Sequence, residues 1–375
     1  MEKTSTRIAA GFAAFGLLLV HTFGQDSVPP GITEPLVLPS FVPTETLCTV
    51  PPGLQQSLTF VQDNRREFME GVGFGLGRAA ADRGLAYSNV VAEDDASLMI
   101  EQIQALDKAG AVVVAPVDPR SLTPSLQWLI AGGTYVGAVV PPPAVTILNA
   151  PQYLTGQTLA NEAARYIEDE LNGQAKVVLL THDSLQFLAP RFRAMRDVLG
   201  HLPGVTIVAD ISPAPVSEDG GYATMKTILV AQPDVDVVLG ADTVVLGALR
   251  ALEETGKARP HQFLGGIDGE PDAVAAIQAG GPYKATVSLA SSIFGYALGQ
   301  YSADWLNGKQ VPQAMDVLPT LLTPDNIRQY QADLADPAQV WQDPDRRDGY
   351  LRMYGSICFD SRDQYPNFPW SSETP

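Results

Sequence analysis

Cysteine and histidine are scarce in this chain of 375 residues, which contains two cysteines and four histidines. Two cysteines cannot build a disulfide-rich scaffold or a four-cysteine zinc site, and the histidines are scattered along the chain. Basic residues are also few, since 24 Lys and Arg face 42 Asp and Glu and leave a formal net charge of −18. A protein that binds a phosphate backbone needs clustered cations. The composition therefore predicts neither a metal site nor a nucleic-acid partner.

Charged residues of either sign make up only 18% of the chain, whereas apolar residues make up 45%. This balance is too hydrophobic and too weakly charged for a disordered protein. At about 100–200 residues per domain, the length predicts a globular protein of two domains.

The N-terminus has the composition of a secretory signal peptide. Lys3 and Arg7 give it a basic start, residues 8–20 form an uncharged apolar stretch of 13 residues, and Thr22 and Gly24 supply small residues at its end. Because a transmembrane helix needs about 20 apolar residues, we predict a signal peptide over residues 1–24, with an uncleaved membrane anchor as the alternative. A signal peptide implies export to the periplasm or the extracellular medium.

Residues 25–56 are rich in proline and show no hydrophobic period, so they predict an extended leader. Cys48 lies in this leader, and Cys358 lies near the C-terminus. In an oxidising compartment the two cysteines predict a disulfide that fastens the leader to the tail. Two buried free thiols are the alternative.

Between leader and tail, short β-branched runs alternate with amphipathic helical stretches such as 96–109, 159–171 and 244–255. Apolar runs without alternation are typical of strands that are buried on both faces of a parallel sheet. The predicted strands are 58–61, 111–115, 136–140, 176–180, 205–209, 235–239, 263–267 and 285–289. The repeated units predict an α/β fold with two doubly wound parallel-sheet lobes. In such sheets ligands bind beyond the carboxyl ends of the strands.

Six short motifs occur in the order and spacing of one known family. They are 115–118 (APVD), 191–195 (RFRAM), 242–249 (DTVVLGAL), 266–269 (GIDG), 285–287 (ATV) and 318–330 (LPTLLTPDNIRQY). With them, residues 57–333 resemble a type I periplasmic binding protein of the ribose-binding-like class, which supplies sugars to ABC importers. At 191–195 the chain departs from the family pattern RxxGF, because Ala194 and Met195 replace its Gly and Phe.

The resemblance implies two lobes joined by a crossover hinge that close around a ligand. It assigns residues 57–143 with 290–311 to lobe 1, and residues 144–289 with 312–335 to lobe 2. Residues 336–375 form a tail beyond the usual end of the family. The implied protein is an exported, monomeric solute-binding protein without cofactor or enzymatic activity, whose partners are a sugar-like ligand and an ABC permease.

A sugar presents hydroxyls on its edges and C–H groups on its faces, so its site needs forked polar groups and aromatic rings. By resemblance, Asp268 and Arg191 contact the hydroxyls and Phe68 stacks on the ring. Each has a plainer interpretation: Asp268 as a turn residue before Gly269, Arg191 as a solvated charge at a helix start, and Phe68 as core.

Three polar positions of the family site are changed in this chain. Val140-Pro141 stands where an Asp-Arg pair is frequent, Ala241 replaces an Asn, and Leu289 replaces a Gln. These changes imply either a ligand with fewer hydroxyl groups or other polar side chains of the protein that replace the three lost contacts. Further candidate contacts are Asn64, Arg65, Asp242 and His182.

Asn64 and Arg65 follow the first strand beside Asp63 and Arg66, and the two arginines could accept an anionic ligand. A solvated loop is the alternative for this segment. Asp242 begins the DTVVLGAL motif, and His182 lies in a loop after a strand as a secondary contact.

The sequence lacks the motifs of two other classes of protein, those with a dinucleotide-binding loop and the sugar-responsive repressors. The glycines of 71–77 lack the third required glycine of a dinucleotide loop, because Leu76 stands there, and we predict that they serve close helix–sheet packing instead. A sugar-responsive repressor with this fold needs an N-terminal helix-turn-helix, whereas this chain starts with a signal sequence and a proline-rich leader. A ligand-presenting sensor stays open as an alternative to transport.

Overall fold

The computed structural model describes residues 31–34, 36–44, 47–139 and 143–373. The predicted signal peptide, the start of the leader and the Val140-Pro141 substitution lie outside these residues. Among the described helices, none combines the length and the apolar content that a membrane span requires.

The first sheet is parallel except at one edge, with the order β13-β11-β5-β4-β3-β1-β2. Its strands are β1 (Ser57–Gln62), β2 (Ala86–Val91), β3 (Ala111–Val114), β4 (Tyr135–Ala138), β5 (Thr146–Asn149), β11 (Ala314–Val317) and β13 (Leu351–Tyr354). β3 is buried along its whole length, as expected for an apolar run covered on both faces. β13 pairs antiparallel with β11 and brings the C-terminal tail into this sheet.

The second sheet has the order β12-β10-β9-β8-β6-β7. Its strands are β6 (Ala175–Leu180), β7 (Val205–Ile211), β8 (Val237–Gly240), β9 (Phe263–Asp268), β10 (Tyr283–Ser288) and β12 (Thr320–Leu322). All neighbours are parallel except β12, which runs antiparallel to β10. The two sheets confirm the predicted two-lobed α/β fold.

Helices cover both sheets. They are α1 (Glu67–Arg83), α2 (Ala96–Gln104), α3 (Pro119–Ala131), α4 (Gln152–Glu170), α5 (Ala189–Gly200), α6 (Glu218–Ala231), α7 (Asp242–Glu254), α8 (Pro271–Gln278), α9 (Ser291–Leu306), α10 (Ile327–Ala335), α11 (Pro337–Gln342) and α12 (Pro344–Tyr350), with a 3₁₀ helix at Phe359–Gln364. Most follow a strand directly, so that their N-termini lie at the carboxyl ends of the strands.

The chain crosses between the sheets at three short crossovers, residues 150–151, 289–290 and 318–319, and returns to the first sheet a last time between β12 and β13, by way of α10, α11 and α12. The predicted boundaries put residues 144–149 and 312–317 in lobe 2, whereas β5 and β11 are strands of the first sheet. The crossovers come later than predicted because both strands complete their pairing with the first sheet, and with each other, before the chain leaves it.

The glycines of α1 divide between two surfaces. A Cβ atom on Gly75 would collide with the backbone of Ser292 and Tyr296 in α9, whereas a Cβ on Gly77 would lie 3.2 Å from the Tyr87 ring. Gly71 likewise faces α9 and Gly73 faces the sheet. The prediction of close helix–sheet packing therefore holds for Gly73 and Gly77. Gly71 and Gly75 instead allow the closer contact, which is between helices α1 and α9.

The leader and the tail pack together on the first lobe. Cys48 and Cys358 form a disulfide whose Cα atoms lie 5.9 Å apart. In the tail, the Trp341 ring packs edge-on against Tyr301 of α9 at 5.5 Å between centroids. These contacts attach Cys48 of the leader and Trp341 of the tail to the lobe that contains β1.

Candidate ligand-binding site

Arg191 and Asp268, which are 77 residues apart, meet beyond the carboxyl end of β9. Arg191 Nη1 donates to Asp268 Oδ1 at 3.3 Å, and Arg191 Nε donates to the Gln152 side-chain oxygen. Only 7% of Arg191 is exposed, so its guanidinium is held in place from two sides. The plainer interpretation of Arg191, as a solvated charge, is wrong because of this burial.

The carboxylate of Asp268 is accessible to water and yet surrounded by protein. Its side chain is 42% exposed, but burial raises its pKa, and Arg191 opposes that shift. The charge of Arg66, in the loop after β1 of the first lobe, also lowers this pKa. The carboxylate therefore keeps a solvent-accessible face close to charged groups of both lobes.

The backbone of Asp268 is strained. Its φ angle of 122° lies in a region that residues with a Cβ atom rarely adopt. Such strain persists where the surrounding structure imposes it, and it is concentrated at functional sites. Gly269 follows with φ 73°, so the loop turns sharply at this point.

The loop after β1 is organised by its own hydrogen bonds. Asn64 Oδ1 accepts from the Arg66 Nε at 2.8 Å, and Asn64 Nδ2 donates to Asp94 at 2.9 Å. Arg66 also pairs with Asp63 at 2.9 Å, although 68% of its side chain stays exposed. Arg65 pairs with Glu93 instead. Among these side chains, Arg66 is the one whose charge acts on Asp268.

Phe68 lies in the first turn of α1, close behind this loop. Its ring is half-buried, and its centroid is 5.7 Å from that of Phe294. The ring therefore contributes to packing, and both predicted roles, as core and as a stacking surface, fit its position.

Comparison with known proteins gives the family. The sequence profile of the periplasmic binding protein domain family matches residues 59–310, about two thirds of the chain. The chain belongs to this family. The predicted resemblance to periplasmic binding proteins is thereby confirmed, and the family comprises solute binders.

Individual relatives agree with the assignment. A protein of Rhizobium meliloti named for rhizopine binding is 27% identical over 250 residues, which cover 64% of this chain and 80% of that protein. The periplasmic ribose ABC transporter structure from Conexibacter woesei superposes with a TM-score of 0.66 at 20% identity, covering 75% of this chain and 96% of the other. A solute-binding protein of Bacillus halodurans with bound myo-inositol superposes with a TM-score of 0.61 at 20% sequence identity. The match covers 74% of this chain and 98% of the other. At 20% identity the two structural matches show the fold alone.

In this periplasmic binding protein, Asp242 is completely buried at the start of α7. Its carboxylate accepts from the Tyr283 hydroxyl at 2.7 Å, from the Thr286 hydroxyl at 2.8 Å and from the Glu270 backbone N–H at 2.8 Å. Burial raises the pKa of Asp242 to about 7. With its oxygens occupied and no surface accessible, Asp242 positions the loop at 268–270 and is not itself in reach of a ligand, which corrects the expectation of a contact.

His182 is half-buried in the loop after β6, near the rim of the second sheet. The same loop exposes the large apolar side chains Leu185 and Phe187.

Two polar residues that lie near the pair of Arg191 and Asp268 were not predicted from the sequence. Gln152 is the first residue of α4 and orients Arg191. Glu270 follows the GIDG motif, accepts from the Thr243 hydroxyl at 2.6 Å, and has a pKa raised by burial. No sequence pattern marks Gln152, because its role depends on a partner 39 residues away.

Proposed function

We propose that this protein is exported and captures a small polyhydroxylated ligand, a monosaccharide or related polyol, in the cleft between its lobes, and that it delivers the ligand to an ABC importer. The observation that carries the proposal is the buried Arg191 held against the accessible Asp268, with the charge of Arg66 of the first lobe acting on the same carboxylate. Membership of the periplasmic binding protein family supports the general role. The names of the relatives, which mention rhizopine, ribose and myo-inositol, support a small polar ligand.

The chemistry of the pair suits hydroxyl groups. A carboxylate accepts hydrogen bonds from two adjacent hydroxyls, and a guanidinium donates to ring and hydroxyl oxygens in a fixed fork. Because Arg191 is already oriented by Gln152, the site loses little conformational entropy when a ligand binds. Phe68 supplies an apolar surface for the C–H face of the ligand.

Closure follows from the connection of the lobes. Rotation about the three crossovers brings the loop after β1 towards the loop at 268–270. Water leaves the cleft as it closes, so the hydrogen bonds to the ligand become stronger in a less polar surrounding. The permease then recognises the closed form.

A less hydroxylated or anionic ligand is the second candidate. The exposed guanidinium of Arg66 favours it, since this cation faces the cleft and has only one carboxylate partner, Asp63, among its described contacts. Sugar acids therefore belong in any ligand screen.

A thermal-shift screen tests the proposal. The panel contains D-ribose, D-arabinose, D-allose, D-glucose, myo-inositol, galacturonate and adenosine, with arginine and glutamate as unrelated solutes. A bound ligand raises the apparent stability by about 2.7 kcal/mol at a hundredfold excess over Kd. We expect one sugar or polyol to stabilise the wild type without being consumed. If only the amino acids shift the melting temperature, or a panel member is chemically converted, the proposed function is wrong.

Transport needs its own measurement. Uptake of the identified ligand is compared between cells with and without the gene, and complementation with the Asp268→Ala variant serves as the negative control. Normal uptake in the deletion strain would favour the sensor alternative over the importer.

A further inference from the structure

Helix α4, the first element of lobe 2 after the crossover at 150–151, has no cap from its own sequence. Its N-cap residue is Pro151, which has no side chain able to accept a hydrogen bond. The N–H groups in the first turn of a helix have no partner within the helix, so they need acceptors from elsewhere. Here the acceptor comes from the far end of the chain.

Glu373 supplies the missing cap. Its Oε2 accepts from the Tyr153 N–H at 3.1 Å, and its Oε1 accepts from the Leu154 N–H at 2.7 Å. The carboxylate thus binds two backbone donors at the positive end of α4, where a negative charge is also stabilised by the helix dipole. The contact spans 220 residues of sequence.

The segment that carries Glu373 is anchored in lobe 1. Phe368 and Trp370 are buried, and the Trp370 ring lies 4.9 Å from that of Tyr354 in β13. The Asn367 N–H donates to the Ile32 carbonyl of the leader at 2.9 Å. Residues 367–373, here named the hinge clamp, therefore hold lobe 1 at one end and α4 of lobe 2 at the other.

Between these ends the hinge clamp contacts the crossover strands. The Ser372 side chain lies near Asp316 of β11 and lowers the pKa of its carboxyl, and Asn149 Nδ2 of β5 donates to the same carboxylate at 2.7 Å. β5 and β11 are the two strands from which the chain passes into lobe 2. One buried carboxylate thus joins both of them to the C-terminal tail.

The contacts continue from α4 into the ligand cleft. Gln152 immediately precedes the two residues that Glu373 binds, and Gln152 accepts from Arg191, which pairs with Asp268. A shift of the first turn of α4 would move Gln152 and release Arg191. The position of the clamp and the geometry of the site are therefore linked through one helical turn.

We propose that the hinge clamp is a positioning device: Glu373 fixes the first turn of α4 against the crossover strands and thereby holds Gln152 and Arg191 in the geometry that binds ligand. The effect on affinity rests on the proposed function, whereas the effect on α4 does not. Losing the clamp should loosen the start of α4 in the ligand-free protein and weaken ligand binding.

Hydrogen exchange in the full-length, ligand-free protein tests the proposed effect of the hinge clamp on the start of α4. Glu373→Ala should increase exchange at the Tyr153 and Leu154 amides by about tenfold, the factor for one lost cap. Glu373→Gln, which keeps a single acceptor oxygen, should give a smaller increase. The control is Glu101→Ala, which removes an exposed glutamate from α2 and should leave α4 unchanged. Unchanged exchange in Glu373→Ala overturns the proposal whether or not a ligand is known.

A double-mutant cycle tests the link to the site. Titration calorimetry with the panel sugar that shifts the wild type most should give a Kd about tenfold higher for Glu373→Ala. In a Gln152→Ala background the same substitution should have no further effect, because the link is already broken. Independent, additive effects would make Glu373 a structural cap only and overturn the positioning role. If the wild type binds no panel member, the proposed function fails, and the exchange experiment alone decides whether the clamp exists.

Discussion

Arg191 Nη1 donates to Asp268 Oδ1 across 3.3 Å and joins the first turn of α5 to the last residue of β9. The two partners differ in accessibility, since the arginine is buried and the carboxylate faces water. The pair is therefore held together by the protein's own contacts, and its accessible member can accept further hydrogen bonds.

Two different substitutions of Asp268 should have the same effect on ligand binding but different effects on the folding stability of the protein. Asp268→Ala and Asp268→Gly should both weaken binding by at least tenfold, because each removes a charged acceptor. Asp268→Gly should be more stable than Asp268→Ala by about 1 kcal/mol, because only glycine adopts φ 122° without strain. Titration calorimetry and urea unfolding measure the two effects.

Asp234→Ala is the control for these variants, since Asp234 is a 70% exposed carboxylate before β8, at the opposite end of the sheet. It should bind as the wild type does. Wild-type affinity in Asp268→Ala would remove this carboxylate from the site.

The stability of the protein should depend on pH through Asp242. Burial raises its folded-state pKa to about 7 from 3.8, so between these values the folded protein holds a proton that the unfolded chain releases. This contribution is fully present below pH 3.8 and is lost as the pH rises through about 7. The advantage of the wild type over Asp242→Asn should therefore shrink from pH 4.5 to pH 8 in urea unfolding. Parallel pH profiles for the two proteins would contradict the assignment.

The contact between α1 and α9 should tolerate no side chain at Gly75. Gly75→Ala should lower the free energy of unfolding by about 2 kcal/mol, because a Cβ atom there meets rigid backbone in α9. Gly77→Ala is the matched control on the same helix: it meets only the Tyr87 ring, and the higher helix propensity of alanine offsets the cost. Equal effects of the two substitutions in thermal unfolding would argue against the close approach of α1 to α9.

The disulfide should contribute to stability because it closes a loop of 310 residues in the unfolded chain. The double variant Cys48→Ser with Cys358→Ser should lose about 2–4 kcal/mol of unfolding free energy. Reductant should bring the wild type to the same value and leave the variant unchanged. A wild type that does not respond to reductant in urea unfolding would mean that the bridge adds little.

Local pattern predicted eight strands of the two sheets, among them the unburied β7, and missed β2, β5, β11, β12 and β13. β3, β6 and β9 appear as apolar runs, whereas β2 is an edge strand with no buried residue, and its partly polar sequence carries no such signal. β13 exists because it pairs with β11, and no property of its four residues announces that partner.

The amino-acid sequence by itself determined the α/β alternation, the two-lobed family and the candidate pair Arg191 and Asp268, because hydrophobic periodicity and short motifs are local properties of the chain. Only the tertiary structure decided that Asp242 is sealed inside lobe 2, where the chain crosses between lobes, and that Glu373 caps α4. Each of these depends on groups that meet across long stretches of sequence, and burial or hydrogen bonding between distant residues leaves no trace in the pattern of either partner alone.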